Sequence, residues 1–195
     1  NLIINSDKKN NIMYNYFFGT INKDYRSTAH TTLMKHDYCN NNTAVQIFTK
    51  IGPIAFLPLS NTRTSVVFSV IDQSIKLKDI KIEEYITKYN SIYKINSFSE
   101  IEKFKLKFSF PRNYYHNNIL LFGDLLHQIH PLAGQGFNMT LRDVKILLNI
   151  IDEHQSLGLP LDKNLLMKFE NEIKHLNFIF ASGIDFIHEF FKFDN

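Results

Sequence analysis

The sequence predicts a mixed α/β fold of the α+β kind, and three observations predict it. Strand-like runs crowd the centre of the chain. Two helical patterns close it. A glycine-containing loop joins the last strand-like run to the first of those helices. That loop is Gly123-Asp124-Leu125-Leu126-His127-Gln128-Ile129-His130-Pro131-Leu132-Ala133-Gly134-Gln135-Gly136-Phe137-Asn138. It follows the apolar run Ile119-Leu120-Leu121-Phe122 and leads into a helical pattern that starts near Asn138. A strand thus feeds a loop with an acid at its mouth, and the loop turns through two glycines into a helix N-terminus. Such a cradle suits a polar cofactor: the carboxylate accepts from hydroxyls, and free backbone N–H groups take anionic oxygens.

Taken in order, the chain opens on the apolar triplet Leu2-Ile3-Ile4, which reads as the end of a strand whose preceding chain is missing. In the β-rich block, Ala44 to Thr49 and Ile54 to Leu59 are strand-like, and the polar turn Ser60-Asn61-Thr62-Arg63 leads into a strand from Thr64 to Val70. Pro53 and Pro58 point to edges or bulges. Asp79 to Tyr93 reads as an amphipathic helix carried by Ile82, Ile86, Tyr89 and Tyr93. Phe104, Leu106, Phe108 and Phe110 alternate with Lys103, Lys105, Lys107 and Ser109, a half-buried strand that Pro111 ends. After the loop, Leu141, Val144, Leu148 and Ile151 form the expected buried face of a helix that Gly158-Leu159-Pro160 breaks. Asp162 or Asn164 caps a long final helix through Phe169, Ile173, Leu176 and Phe180, with a kink expected at Gly183. Its aromatic end, Phe178-Ile179-Phe180 and Phe186 to Phe191, is expected in the core; a lipid-facing or partner-facing surface is the alternative.

Composition narrows the function classes. The 195 residues suffice for a real core, and 44% hydrophobic with 21% charged residues is ordinary for a globular protein. The net charge of +3 is too small to imply nucleic acid. The lysines between Lys76 and Lys107 alternate with Asp79, Glu83, Glu84, Glu100 and Glu102, as on a solvated face. Cys39, the single cysteine, excludes an intrachain disulfide and fits a reducing compartment. The expected location is cytoplasmic, with peripheral contact at the inner membrane left open. His127 and His130 are spaced for one helical turn, and His116, His30 and Asp124 are metal-ligating types. Pro131 and the glycines disfavour a continuous helix there, so no metal site is expected. His127 reads instead as a packed, hydrogen-bonded residue behind the motif. Arg63 and Arg142 read as surface residues or members of helix salt bridges.

The motif resembles the FAD-dependent aromatic hydroxylases, in particular the branch that hydroxylates polyprenylated phenols in ubiquinone biosynthesis. The residues that carry the resemblance are Gly123-Asp124, His130-Pro131-Leu132-Ala133-Gly134-Gln135-Gly136-Phe137-Asn138 and Leu141-Arg142-Asp143-Val144. Thr43-Ala44-Val45-Gln46-Ile47-Phe48 and Gly52-Pro53-Ile54-Ala55-Phe56-Leu57-Pro58-Leu59 resemble the branch's substrate-domain strands. Ser182-Gly183-Ile184-Asp185 with Phe190-Phe191 resembles its C-terminal helix. The resemblance implies part of a flavin-monooxygenase FAD/NAD(P)-binding fold with an inserted β-sheet substrate domain and a long C-terminal helix. The implied divisions are 1–25 for the end of the first FAD portion, 26–112 for the substrate domain, 113–158 for the distal FAD segment and 159–195 for the C-terminal helix region. It also implies the chemistry: NAD(P)H reduces the flavin, O2 forms a C4a-hydroperoxide, and the terminal oxygen passes to a phenol ring carbon.

By resemblance, Gly123 and Asp124 hold the ribityl chain, and Gly134, Gln135, Gly136, Phe137 and Asn138 line the pyrimidine edge of the flavin. His130 and Pro131 lie near the reacting ring, with no residue assigned as acid or base. The phenol substrate, O2 and a membrane or biosynthetic complex are the implied partners. The chain departs from the family at Leu125 and Leu126, where alanines are usual, at Thr140, where glycine is usual, and at Lys8, where Ser6-Asp7-Lys8 stands for Ala-Asp-Gly. The family's opening Gly-x-Gly-x-x-Gly turn, which holds the ADP half of FAD, has no counterpart in the 195 residues. The N-terminal Rossmann βαβ is therefore expected to be missing and the fragment alone inactive. The alternative reading is a non-catalytic remnant, or a subunit that a partner completes.

Overall fold

The computed structural model describes residues 2–72, 81–130 and 134–193, with the last side chains of the final helix excepted. The chain divides into two compact units, one of residues 1–23 and 107–189 and one of residues 24–106 and 190–195.

The second unit is built on antiparallel strands. β2 (Thr20–His36), β3 (Val45–Thr49), β4 (Gly52–Ser60), β5 (Arg63–Ile71) and β6 (Ile95–Phe98) stand in the order β3-β4-β5-β2-β6, and β7 (Glu102–Pro111) also pairs with β2. Alternation decides which side chains go inside. Ile54 and Phe56 of β4 pair with Phe68 and Val66 of β5, and all four are fully buried. α2 (Ile82–Tyr89) covers this face with Ile82 and Ile86, which join Met34, Val70 and Tyr93 in one cluster. Each such side chain contributes roughly 1.5–3 kcal/mol on burial. At Gly52, φ is +134° and an added Cβ would lie 1.8 Å from the Ser69 carbonyl oxygen, so only glycine closes the β3–β4 turn.

Several expectations change here. Of the edge or bulge expected at Pro53 and Pro58, the edge is overturned, since both sit on β4 between β3 and β5, while an irregularity of the bulge kind is found at Pro58, where the register shifts before Ser60. The helix expected to reach Tyr93 stops at Tyr89. Asn90 accepts from the Tyr93 N–H (2.9 Å) and donates to its carbonyl (2.6 Å), an Asx turn that outcompetes another helical turn. Its expected start at Asp79 lies outside the described residues. Phe104, expected on the buried face of β7, is exposed.

The first unit holds a short sheet and the long helices. β1 (Ile3–Asn5) runs parallel to β9 (Ile119–Leu121), and β8 (Tyr115–His116) pairs antiparallel with β9. Every residue of β9 is buried, which is why it reads as an unbroken apolar run rather than an alternation. α1 (Ile12–Tyr16) is a single turn and a half between β1 and β2. α3 (Gln135–Ser156) ends where Gly158 takes φ +65°. α4 (Lys163–Phe193) starts with the Asp162 carboxylate accepting from the Asn164 N–H at 2.8 Å, and it runs through Gly183 without a break. Leu120, Leu121, Leu125, Leu126, Leu147, Ile150, Phe169 and Ile173 make up most of the core.

Two face assignments are overturned. On α3, Leu141 and Leu148 are exposed, and the buried stripe is Met139, Asp143, Leu147, Ile150 and His154. Two polar residues occupy core positions, so an apolar-only periodicity lands on the wrong face. On α4, Phe178, Ile179, Phe180, Phe186 and Ile187 are exposed and do not lie in the core, Phe186 by 70%. No described helix is long and apolar enough to cross a membrane.

Candidate functional site

The loop begins where β9 ends. The Phe122 N–H donates to the Asn5 carbonyl at 2.8 Å, extending the parallel pairing by one residue. Gly123 then takes φ +62°, and a 3-10 turn over Gly123–Leu125 follows, closed by the Leu126 N–H on the Gly123 carbonyl at 2.9 Å. This turn separates its side chains. Leu125 and Leu126 enter the core, so the bulk that replaces the usual alanines is absorbed away from the loop surface. Asp124 points to solvent, and among the described residues its carboxylate holds no hydrogen bond or ion pair. Gln128 is tied to β7 by two backbone hydrogen bonds with Ser109, both 2.9 Å, and its side chain accepts from Lys8 Nζ at 2.9 Å. Asp7 is turned locally, its carboxylate accepting the Lys9 N–H at 2.8 Å. His130 is buried. Pro131, Leu132 and Ala133 lie outside the described residues.

α3 then opens without a side-chain cap. Gly134 is its N-cap with φ +64°, a conformation that favours glycine, and no acid stands in the first turn. No described side chain caps these leading N–H groups, and the positive end of the helix dipole lies there. An added Cβ on Gly134 would meet nothing within 4 Å, and one on Gly136 would meet only Ile129 Cγ1, at 4.0 Å. Among the described residues the space over both glycines is open, as a cradle for a closely approaching group requires. Phe137 and Asn138 are exposed, Gln135 is half-buried, and Asn138 donates to Gln135 at 3.4 Å. Thr140 turns its hydroxyl back to the Gly136 carbonyl at 3.3 Å, so it adds no bulk at the helix start. An exposed acceptor at Asp124 and a helix N-terminus at Gly134 without a described side-chain cap fit a ligand that carries both hydroxyls and an electron-rich polar edge.

Behind the loop lies a buried polar network. His127 and Asp143 have fully buried side chains, with Nε2 2.9 Å from Oδ2. Asn177 of α4 donates to the same oxygen at 3.2 Å, and Arg142 donates to Oδ1 at 3.2 Å and to the Asn177 carbonyl oxygen. His127 is thus the packed, hydrogen-bonded residue that its place behind the motif suggests. Of the two readings of Arg142, surface residue or helix salt bridge, the second holds: it pairs with Asp143 of its own helix and joins this network. Burial pushes the nearby Tyr114 phenol well above its usual range, so it stays protonated at neutral pH. Asp143 and Asn177 were not legible as partners of His127. The available signal was an acid standing in the apolar stripe of Met139, Leu147 and Ile150. A cavity of about 600 Å³ lies in the same unit, its walls including Phe110, Pro111, Tyr114 and Phe178. Its acid, Glu170, is paired with Lys174, which also lies 5.7 Å from the Tyr114 ring centroid. Among the described residues no cluster of three or more His, Cys, Asp or Glu could hold a metal ion.

Comparison with known proteins shows the family and the fold. The model of the FAD binding domain family matches residues 8–156. Ubiquinone biosynthesis monooxygenase COQ6, mitochondrial, of Drosophila melanogaster is 26% identical over 96% of this chain and 48% of its own length. Ubiquinone hydroxylase UbiL of Rhodospirillum rubrum is 28% identical over 75% of this chain and 36% of its own. The chain thus spans about half the length, or less, of these curated relatives. Among solved structures, PqsL of Pseudomonas aeruginosa, a probable FAD-dependent monooxygenase, superposes with a TM-score of 0.73 at 16% identity, over 98% of this chain and 56% of that one. The flavin-dependent halogenase CmlS superposes with a TM-score of 0.66 at 13% identity, over 90% of this chain and 34% of its own. The matched region takes in both the exposed Asp124 and the uncapped start of α3: the chain belongs to the FAD binding domain family, and its fold is that of the FAD-dependent monooxygenases.

Proposed function

We propose that this chain is the substrate domain and the distal FAD-binding part of a monooxygenase that hydroxylates the aromatic ring of a polyprenylated phenol in ubiquinone biosynthesis, with NAD(P)H as reductant and O2 as oxidant. The observation that carries the reading is the pairing, within one loop, of the unpartnered Asp124 carboxylate with the uncapped N-terminus of α3 at Gly134. The names of the relatives supply the substrate class.

Bound FAD supplies electron transfer from the nicotinamide and activation of dioxygen. The chain binds and orients. Asp124, an acceptor at neutral pH, takes the ribityl hydroxyls, with Gly123 shaping the turn that presents it. The N–H groups from Gly134 to Asn138 face the pyrimidine edge, where negative charge gathers on reduction. A helix N-terminus stabilises such charge by roughly 0.3–1 kcal/mol when exposed and up to ~2 when partly buried. His130 would border the ring and help to exclude water from it; Pro131, assigned there by resemblance, lies outside the described residues. The exposed aromatic run of α4 at Phe178, Ile179, Phe186 and Ile187 is suited to the membrane surface from which a polyprenyl substrate is drawn.

The complete gene product tests the reading. Purified protein is expected to carry stoichiometric flavin and to consume O2 and NAD(P)H with a prenylated phenol from a panel. A complete protein without flavin absorbance would overturn it. Asp124→Ala is expected to weaken FAD binding by about tenfold or more, the loss of a charge-assisted hydrogen bond, while leaving thermal stability unchanged because the side chain is exposed. Flavin content and activity equal to the parent would remove Asp124 from the site. The 195-residue chain alone is expected to bind FAD weakly, because it contains no Gly-x-Gly-x-x-Gly turn for the ADP half.

A further inference from the structure

Two buried, charge-capable groups play no part in the chemistry above: His127, at the centre of the loop, and Asp143, inside α3. Burying a carboxylate against an imidazole is expensive, and a well-packed apolar pair in their place would often be as stable or more so. The loop already has an apolar anchor in Leu125 and Leu126. That anchor is non-directional: it holds the loop down without fixing its rotation.

The hydrogen bonds add the missing direction. A carboxylate only accepts, so the proton between His127 and Asp143 sits on Nε2. Asp143 Oδ2 takes this donor from the loop and a second from Asn177 on α4, while Oδ1 takes Arg142 from its own helix. The Asn177 amide has one orientation in this scheme, because its carbonyl oxygen accepts from Arg142. Three elements distant in sequence thus meet on one carboxylate. The loop residue in this meeting stands three positions after Asp124, and Asp143 lies two turns into the helix whose N-terminus Gly134 opens.

We propose that His127 is a positioning residue: its bond to Asp143, braced by Asn177, sets the loop of Gly123–His130 against α3 so that the Asp124 carboxylate and the N-terminus of α3 at Gly134 keep one fixed relation. The inference rests on the FAD reading for its purpose but not for its geometry, and the two can fail separately. A ligand that spans both groups then meets a prepaid arrangement rather than ordering the loop itself.

The experiment compares the parent with His127→Leu, which keeps volume and removes the donor, and His127→Gln, whose Nε2 reaches the same carboxylate. Amide hydrogen exchange is read on the protein without flavin, and FAD affinity by flavin titration. In His127→Leu the amides of Leu125, Leu126 and Gln128, all hydrogen-bonded in the structure, are expected to exchange about tenfold faster or more, and the FAD dissociation constant to rise by about tenfold. Amides of β4 and β5 should not change, and His127→Gln should restore both readouts to within about threefold of the parent. Should His127→Leu fail to fold, Asn177→Ala, which removes only the α4 brace, is expected to show the same local pattern at about threefold. Unchanged loop exchange, faster exchange spread evenly through both units, or failure of Gln to restore it would overturn the proposal. If the parent binds no FAD, the exchange readout still decides the pin, and only the functional reading falls.

Discussion

Each unit buries a histidine in a polar network, and the two networks differ in charge. In the second unit His36 Nε2 lies 3.0 Å from the Thr64 hydroxyl, Asn41 donates to that hydroxyl (2.9 Å) and to the Ser60 carbonyl (2.7 Å), and Tyr93 donates to Asn41 (2.8 Å). The partners are hydroxyls, an amide, carbonyls and the Cys39 thiol, and the sheet and its turns bring them together. In the first unit the centre is a carboxylate, and the donors come from a loop and two helices. A neutral network is a modest addition to a core that β4, β5 and α2 already define. A charged one is costly to bury and costlier to break, because removing a partner leaves a charge or a full set of donors without an answer. The expensive network lies directly behind the loop that carries Asp124. The cheap one lies within the sheet's own packing.

The comparison can be broken most severely at Asp143. Asp143→Ala strands the His127, Asn177 and Arg142 donors and is expected to cost roughly 3–5 kcal/mol, read by urea denaturation. Thr64→Val is the matching change in the neutral network. It removes the shared hydroxyl at similar volume and should cost about 1–3 kcal/mol. Equal losses for the two would erase the distinction between the networks.

A smaller effect separates fold from ligand at the helix start. Gly134→Ala is expected to lose about 1 kcal/mol through its left-handed backbone, although its Cβ would meet no neighbour. Gly136→Ala has ordinary helical geometry and should gain up to ~1 kcal/mol from helix propensity. A loss of FAD affinity in Gly136→Ala, with stability kept, would assign that glycine to close ligand approach.

The smallest effect is a pH dependence in the second unit. Burial holds His30 below its ordinary 6.5, the Lys103 ammonium adds to this, and Asp72 opposes it. The folded pKa being depressed, the unfolded chain takes up a proton first as pH falls. Stability is therefore full above about 6.5 and declines as pH drops from there through the folded pKa. Denaturation of His30→Gln across that window should show a flatter profile, and an unchanged slope would shift the effect to other groups.

How much was legible differs by element. β4, β5 and the turn between them follow from alternation and a polar tetrapeptide. Asp162 announces the start of α4 and Gly158 the end of α3. The loop was legible as a cradle because glycine, acid and helix start have local conformational meanings. β2, the longest strand, went unread. Its first half, with Asn22, Lys23, Asp24 and Arg26, has no apolar period, and pairing of the strand with β5 from Ser27 to Lys35, and with β7, rather than its own composition makes it a strand. The buried face of α3 was misread because Asp143 and His154 occupy core positions, and the aromatic run of α4 because apolar character does not say which face finds a neighbour.

The sequence by itself thus determined the local conformations: where the chain turns through Gly123 and Gly134, where α3 ends and α4 begins, and that an acid stands at the mouth of the loop. Only the tertiary structure decided that Leu125 and Leu126 sink into the core while Asp124 stays free, and that His127 finds Asp143 and Asn177. The physical reason is range. Backbone preferences and capping act over a few residues, whereas a buried polar group must be answered by whatever distant partners the packed fold brings to it.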